Sequence, residues 1–185
     1  MSTTRWLDEN EQAVWRSWLK VMRLLPAHLE DRLHERHGLS MTDYQVMVEV
    51  SESADHRLRM TELAQRTQLS KSRLSHQIGR MEQAGLVVRT QCPEDRRGQW
   101  AELTEAGWAL LREAAPGHVE DVRELYFDLL TPEQVRTFAD ALYKVADRLD
   151  QSPATGCANA RAEVGCAQLA EGVASETGSA AAAEG

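Results

Sequence analysis

The chain has 185 residues, with 42% hydrophobic and 27% charged side chains and a net charge of −8, values that suit one globular domain with room for a tail. No apolar run approaches the roughly 18 residues that a membrane helix needs, and the opening MSTTRWLDENEQ lacks a secretory apolar stretch, so the cytoplasm is the expected compartment. Three cysteines (Cys92, Cys157 and Cys166) sit at no metal-ligand or redox spacing, which fits a reduced protein with neither disulfide, metal nor other cofactor.

The first predicted element is a long helix over residues 9–37. Val14, Trp18, Met22, Leu25, Leu29 and Leu33 recur at spacings of three and four and form one apolar stripe. Pro26 predicts a kink or two helices end to end, and Gly38 a stop. Thr42, with Gln45 three residues later, reads as the capping box of a helix carrying Tyr44, Val46, Met47 and Val50. The polar cluster SESADH (51–56) ends that helix. Residues 58–60 suit a short strand. Thr61 then caps a small helix with Leu63, Ala64 and Thr67 inward. After a tight connection at Gln68 and Leu69, Ser70 caps the stretch SKSRLSHQIGRMEQAGLV, whose Leu74, Ile78 and Met81 share one face. This is helix, turn, helix.

LVVRTQ (86–91) and WAEL (100–103) read as extended runs around the loop CPEDRRGQ (92–99), a hairpin that makes a wing beside the helix-turn-helix. Thr104 starts a further helix that Pro116-Gly117 should interrupt or bend. Thr131-Pro132-Glu133-Gln134 starts the last helix, whose apolar face is Val135, Phe138, Ala139, Leu142, Val145 and Leu149. From residue 151 to 185 the chain is rich in Ala, Gly, Ser and Thr, without an aromatic residue, and is expected to be a disordered tail. The expected fold is mainly α with a small β-wing. Residues 1–41 are expected to be an N-terminal helix region, 42–103 a winged helix-turn-helix domain and 104–150 a C-terminal helix region.

Charge is not spread evenly. Residues 1–55 hold 6 basic and 10 acidic side chains, 56–100 hold 9 and 4, 101–150 hold 5 and 11, and 151–185 hold 1 and 4. A basic island between acidic flanks can meet a polyanion despite the net charge, because screening confines fields to about 8–10 Å at physiological salt. Within the island, the helix face opposite Leu74, Ile78 and Met81 carries Ser72, His76, Gly79 and Gln83, flanked by Arg73, Arg80 and Ser75. Its polar groups donate hydrogen bonds and none is acidic, which matches guanine edges and phosphate oxygens in the major groove of duplex DNA. The unpaired N–H groups at the helix start near Ser70 favour an anion too. Asp95, Arg96 and Arg97 on the wing loop suit a narrow minor groove. The chain shows no phosphate-binding glycine loop, nucleophile elbow or paired metal motif, so an enzyme is not expected.

TELA, LSKSRLSHQI, RMEQAGLV, DRR and LTEAG follow one another in order, and with them the stretch 58–111 resembles the MarR family of winged-helix transcription regulators. The resemblance extends over roughly residues 10–150. It implies a homodimer whose first and last helices interlock and whose winged domains bind an inverted repeat, with repression as the default role. Carried over by position, Ser72, Arg73, His76 and Gln77 meet base edges. Ser70, Lys71, Ser75 and Arg80 meet phosphates, and Asp95 and Arg97, with Arg96 beside them, read the minor groove from the wing. His76 departs from the Arg of many members. The resemblance also implies release by a small aromatic or anionic effector, in a cleft that Trp15, Trp18, Tyr44 and Trp108 would line, with Arg16, His28 and Arg59 as polar contacts. The alternative is a winged-helix module for protein contacts or redox response. The family's peroxide-sensing branch uses a cysteine near the first helix. This chain has none before Cys92, at the wing base.

Overall fold

A computed structural model describes residues 4–92 and 95–151, without the side chains of Arg96 and Arg97. The tail with Cys157 and Cys166, and Glu94 of the wing, lie outside the described residues.

Helix α1 runs unbroken from Glu9 to His37. Asp8 caps it, its carboxylate accepting from the Glu11 N–H at 2.8 Å, and Gly38 closes it in the left-handed region at φ 65°. The helix continues through Pro26 and does not divide there into two helices end to end. Proline costs the helix one N–H, and here the surrounding turn is exposed, so water can satisfy the carbonyl of Met22. Helix α2 spans Met41–Ser51. Its cap is Ser40, paired with Asp43, rather than Thr42 with Gln45. Ser40 wins because the residue before it, Leu39, and the fourth residue after it, Tyr44, are then both buried and can staple the helix entry. Glu30 of α1 also accepts the Met41 N–H at 2.7 Å, satisfying one of the donors a helix start leaves over.

Strand β1 (Arg57–Arg59) leads into α3 (Met60–Arg66), which starts without the side-chain cap expected from Thr61. Gln68 then takes φ 54°. The Gln68 and Leu69 N–H groups return to the carbonyls of Gln65 and Ala64 at 3.1 and 3.0 Å, closing α3 and turning the chain into α4 (Lys71–Gln83). Strands β2 (Val87–Cys92) and β3 (Asp95–Leu103) form the wing hairpin, and the sheet order is β1-β3-β2, antiparallel throughout. The expected loop of residues 92–99 is shorter than read. Pairing resumes at Asp95 opposite Cys92, after a register shift between Gln91 and Cys92, and DRRGQ belongs to β3.

Helix α5 covers Glu105–Leu125 without a break at Pro116. A short 3-10 turn at Phe127–Leu129 leads to α6 (Pro132–Asp150), started by the Thr131–Gln134 capping box. One core holds the middle of the chain together: Leu33 and Leu39, Val46, Met47 and Val50 of α2, Leu63, then Leu74, Ile78 and Met81 of α4, and Leu111 and Ala114 of α5. No residue of α6 is buried. Arg32 and Arg36 of α1 clamp α5 instead, both bonding the buried carboxylate of Asp121 at 2.8 to 3.0 Å, while Arg32 also takes Glu124 at 2.7 Å.

Candidate nucleic-acid interface

Helix α4 packs against α3 and β2 and sends Leu74, Ile78 and Met81 into the core, so its other side faces outward. Ser70, Lys71, Ser72, Arg73, Ser75, His76 and Arg80 are all exposed there. The Ser70 hydroxyl accepts from the Arg73 N–H at 3.3 Å, capping the start, and sits 3.2 Å from the Ser72 hydroxyl. Among the described residues no carboxylate lies within ion-pair distance of Lys71, Arg73, His76 or Arg80.

Gln77 is a correction to the base-reading set. It is 7% exposed and turned into the protein, where its amide nitrogen donates to Asp43 and its amide oxygen accepts from Arg80. At its place on the helix it falls beside Leu74 and Ile78 rather than among the outward residues. The one acid of α4, Glu82, is also accounted for. It accepts from the backbone N–H of Arg89 at 3.1 Å and from the Arg89 guanidinium through Nε at 2.9 Å and through Nη2. Those bonds hold its carboxyl below the usual carboxylate range. The Arg89 guanidinium lies beside Gly79, 3.8 Å from where a Cβ would stand. The one negative charge of α4 is therefore neutralised from β2. Sequence reading missed this pair, and it missed Asp43. The S-x-x-D spacing of Ser40 and Asp43 was the available signal for the second.

At the wing base, Arg59 donates to the Cys92 thiol at 3.2 Å and lies 3.7 Å from the Asp95 carboxylate. The guanidinium carbons of Arg57 and Arg59 stand 4.9 and 5.2 Å from the centre of the Trp100 ring. Asp95 thus anchors the strand start, while the side chains of Arg96 and Arg97 lie outside the described residues.

The residues expected to line an effector cleft do not converge. Trp15 is exposed, and Trp18 packs on Phe138 of α6 with ring centres 6.1 Å apart. Tyr44 is buried against His118 at 4.5 Å, a contact in which burial lowers the histidine pKa. Trp108 meets His56 edge-on at 5.2 Å. Arg59 belongs to the wing. Of the set, only His28 borders the open groove of about 1080 Å³ that lies between α1 and α6, floored by Val21, Leu24, Leu25 and Phe138. Among the described residues no group of three or more His, Cys, Asp or Glu side chains is placed to hold a metal ion, and no helix is long and apolar enough to cross a membrane.

Comparison with known proteins agrees with this geometry. The MarR family model matches residues 37–98, which run from the end of α1 through the wing strands. The crystal structure of Sco3205, a MarR family transcriptional regulator from Streptomyces coelicolor in complex with DNA, is 43% identical. It superposes with a TM-score of 0.78 over 85% of this chain and 99% of that one. AbsC, another MarR family regulator from Streptomyces coelicolor, is 49% identical with a TM-score of 0.74 over 79% of this chain and 98% of its own. The HTH-type transcriptional repressor YetL of Bacillus subtilis is 30% identical over 125 residues, covering 66% of this chain and 72% of the repressor. A winged helix-turn-helix flanked by long terminal helices, matched over nearly the whole length of these solved relatives, places the chain in the MarR family of transcriptional regulators.

Proposed function

We propose that the protein is a cytoplasmic, sequence-specific repressor that binds an inverted-repeat operator in duplex DNA as a homodimer. The observation that carries this reading is the outward face of α4, where Lys71, Arg73, His76 and Arg80 stand exposed among hydroxyl donors with no acid left unneutralised. Ser72, Arg73 and His76 take the base edges. Ser70, Lys71, Ser75 and Arg80 take phosphates, and Arg96 and Arg97 enter the minor groove from a wing that Asp95 steadies.

The division of labour follows the fold. Residues 42–103 bind DNA, and residues 1–41 and 104–150 pair with a second copy. Support for pairing comes from uncovered apolar surface. The first half of α1 exposes Val14, Trp15, Leu19 and Met22, and α6 exposes Tyr143, Val145 and Leu149, and exposed apolar side chains grouped on terminal helices suit a protein–protein interface. A two-fold copy would cover these side chains. Release by a small aromatic or anionic molecule belongs to the same reading through the family. Its cleft would be completed by the partner copy, since one chain does not bring Trp15, Trp18, Tyr44 and Trp108 together.

Selection from a random duplex pool tests the proposal. Enrichment of an inverted repeat with half-sites about one helical turn apart is expected, together with a fall in affinity on Arg73→Ala. Binding without any enriched sequence would overturn sequence-specific recognition.

A further inference from the structure

We infer that Asp43 and Gln77 are positioning residues that hold Arg80 ready for a DNA phosphate, so that Gln77 serves DNA binding without touching DNA. The inference rests on the DNA-binding reading above and deepens it.

Hydrogen-bond polarity fixes the arrangement. Asp43 is a carboxylate, able only to accept. Its Oδ2 already takes the Ser40 N–H at 3.2 Å and the Ser40 hydroxyl, as part of the α2 cap. Its Oδ1 accepts from the Gln77 amide nitrogen. A glutamine amide has one donating end and one accepting end. With the donating end committed to Asp43, the oxygen must face the other way, and there it accepts from Nη2 of Arg80. Arginine can only donate, so the chain has one allowed direction: Arg80 to Gln77 to Asp43 to the α2 cap. Arg80 itself is exposed and no carboxylate among the described residues pairs with it, so its charge is held in place but not cancelled. A neutral amide is suited to that task. A carboxylate at position 77 would neutralise the guanidinium, and an apolar residue would leave it loose. The relay begins at the cap of α2, so it also ties the orientation of Arg80 to that helix.

The expected effect is the cost of re-ordering one long side chain on DNA, roughly tenfold in affinity per half-site. Gln77→Met keeps size and helix propensity and removes the relay. In the 185-residue chain, with a duplex selected as above, it should weaken binding about tenfold per half-site, and by less than about twofold when Arg80→Ala is already present. Arg80→Ala alone should lower the slope of log affinity against log salt by about 0.9 for each phosphate no longer neutralised. The side-chain Nε–H resonance of Arg80, followed by NMR without DNA, should be ordered in the wild type and mobile in Gln77→Met. The paired change Asp43→Asn with Gln77→Glu reverses the polarity of the first bond and should restore order at Arg80, while partly cancelling its charge.

Equal losses from Gln77→Met with and without Arg80→Ala would mean that Gln77 only packs, and would overturn the inference. An Arg80 side chain equally mobile in wild type and variant would overturn it as well. If the wild type binds no duplex at any salt, the DNA-binding reading fails and this inference goes with it, and the NMR result separates that case from a failed relay.

Discussion

Replacing Gly107 by Ala tests how the winged domain is joined to α5. In an ordinary helix interior the change should help, by roughly 0.5–1 kcal/mol. Here the sign should reverse. A Cβ on Gly107 would stand 2.1 Å from the backbone oxygen of Leu86, and 3.5 Å from the Leu103 Cβ. An ordinary carbon–oxygen approach is about 3.3 Å, so backbone must retreat by roughly 1.2 Å at a place where backbone is bonded. The same Leu86 oxygen accepts the Thr104 N–H at 3.0 Å, and the Thr104 hydroxyl donates to the Gly85 carbonyl at 2.6 Å. Thr104 is also the cap of α5, accepting from the Gly107 N–H at 3.0 Å. Overpacking costs about 1–3 kcal/mol and each broken hydrogen bond about 1 kcal/mol. Less the helical gain, Gly107→Ala should destabilise by about 2–4 kcal/mol, a large part of the roughly 5–15 kcal/mol that holds a domain folded. Urea unfolding at one fixed protein concentration, with unchanged slope, measures it. Gly79→Ala is the control, since the space there is open to 3.8 Å, and it should stabilise the free protein by about 0.5–1 kcal/mol. A Gly107→Ala protein as stable as wild type, or more so, would mean that the Leu86 carbonyl can withdraw freely and that this junction is not tightly packed.

Asp121 is 4% exposed and receives both Arg32 and Arg36. Asp121→Ala should cost about 3 kcal/mol, the low end for breaking a buried pair, read as a shift in the urea midpoint. His118 packs on Tyr44, and burial lowers its pKa from the ordinary histidine value of 6.5. As pH falls through about 6.5 the unfolded chain takes up the proton first, so stability is full above that pH and declines below it toward the folded pKa. Unfolding free energy measured between pH 8 and pH 5 should drop, and His118→Gln should flatten that profile; an unchanged slope would remove His118 as its source. If α6 pairs with a second copy, Leu142→Lys with Leu149→Lys should shift the sedimentation profile from dimer to monomer, leaving the helical content of the winged domain intact.

The helix-turn-helix was legible in the sequence because its signals are local. Ser70 caps, Leu74, Ile78 and Met81 recur at helical spacing, and all three are buried. Thr131 and Pro132 mark the last helix just as plainly. Where two local signals competed, tertiary contacts decided. Ser40 displaced Thr42 as a cap because Leu39 and Tyr44 could both be buried. Pro26 and Pro116 did not break their helices, since both sit at exposed positions where water can take up the freed carbonyl. The outer residues of α4 could be placed by counting 100° per residue, but Gln77 lies at the edge of that face. Only the position of Asp43 on a neighbouring helix decides that its amide turns inward. The wing was read too wide because DRRGQ has loop-forming residues, yet Gly98 sits in β3, where a Cβ would crowd the Asp95 backbone at 3.3 Å.

The basic island illustrates why counting charges overstates a binding surface. Residues 56–100 hold nine basic side chains, and the fold sorts them. Arg66 pairs with Glu62 at 2.7 Å and lies 3.7 Å from Glu49. Arg89 is committed to Glu82. Arg57 lies 3.6 Å from Asp55 and Arg59 3.7 Å from Asp95, both against Trp100. Lys71, Arg73 and Arg80 on α4 stand without a carboxylate among the described residues, and the wing adds Arg96 and Arg97 from the sequence. Salt dependence distinguishes the count from the sorting. At about 0.9 per neutralised phosphate, five cations per chain cap the slope for a dimer near 9, while all nine would allow about 16. Fluorescence titration on an operator duplex across a salt series should give a slope no steeper than about −9. A steeper one would mean that Arg57, Arg59, Arg66 or Arg89 leaves its carboxylate for the DNA.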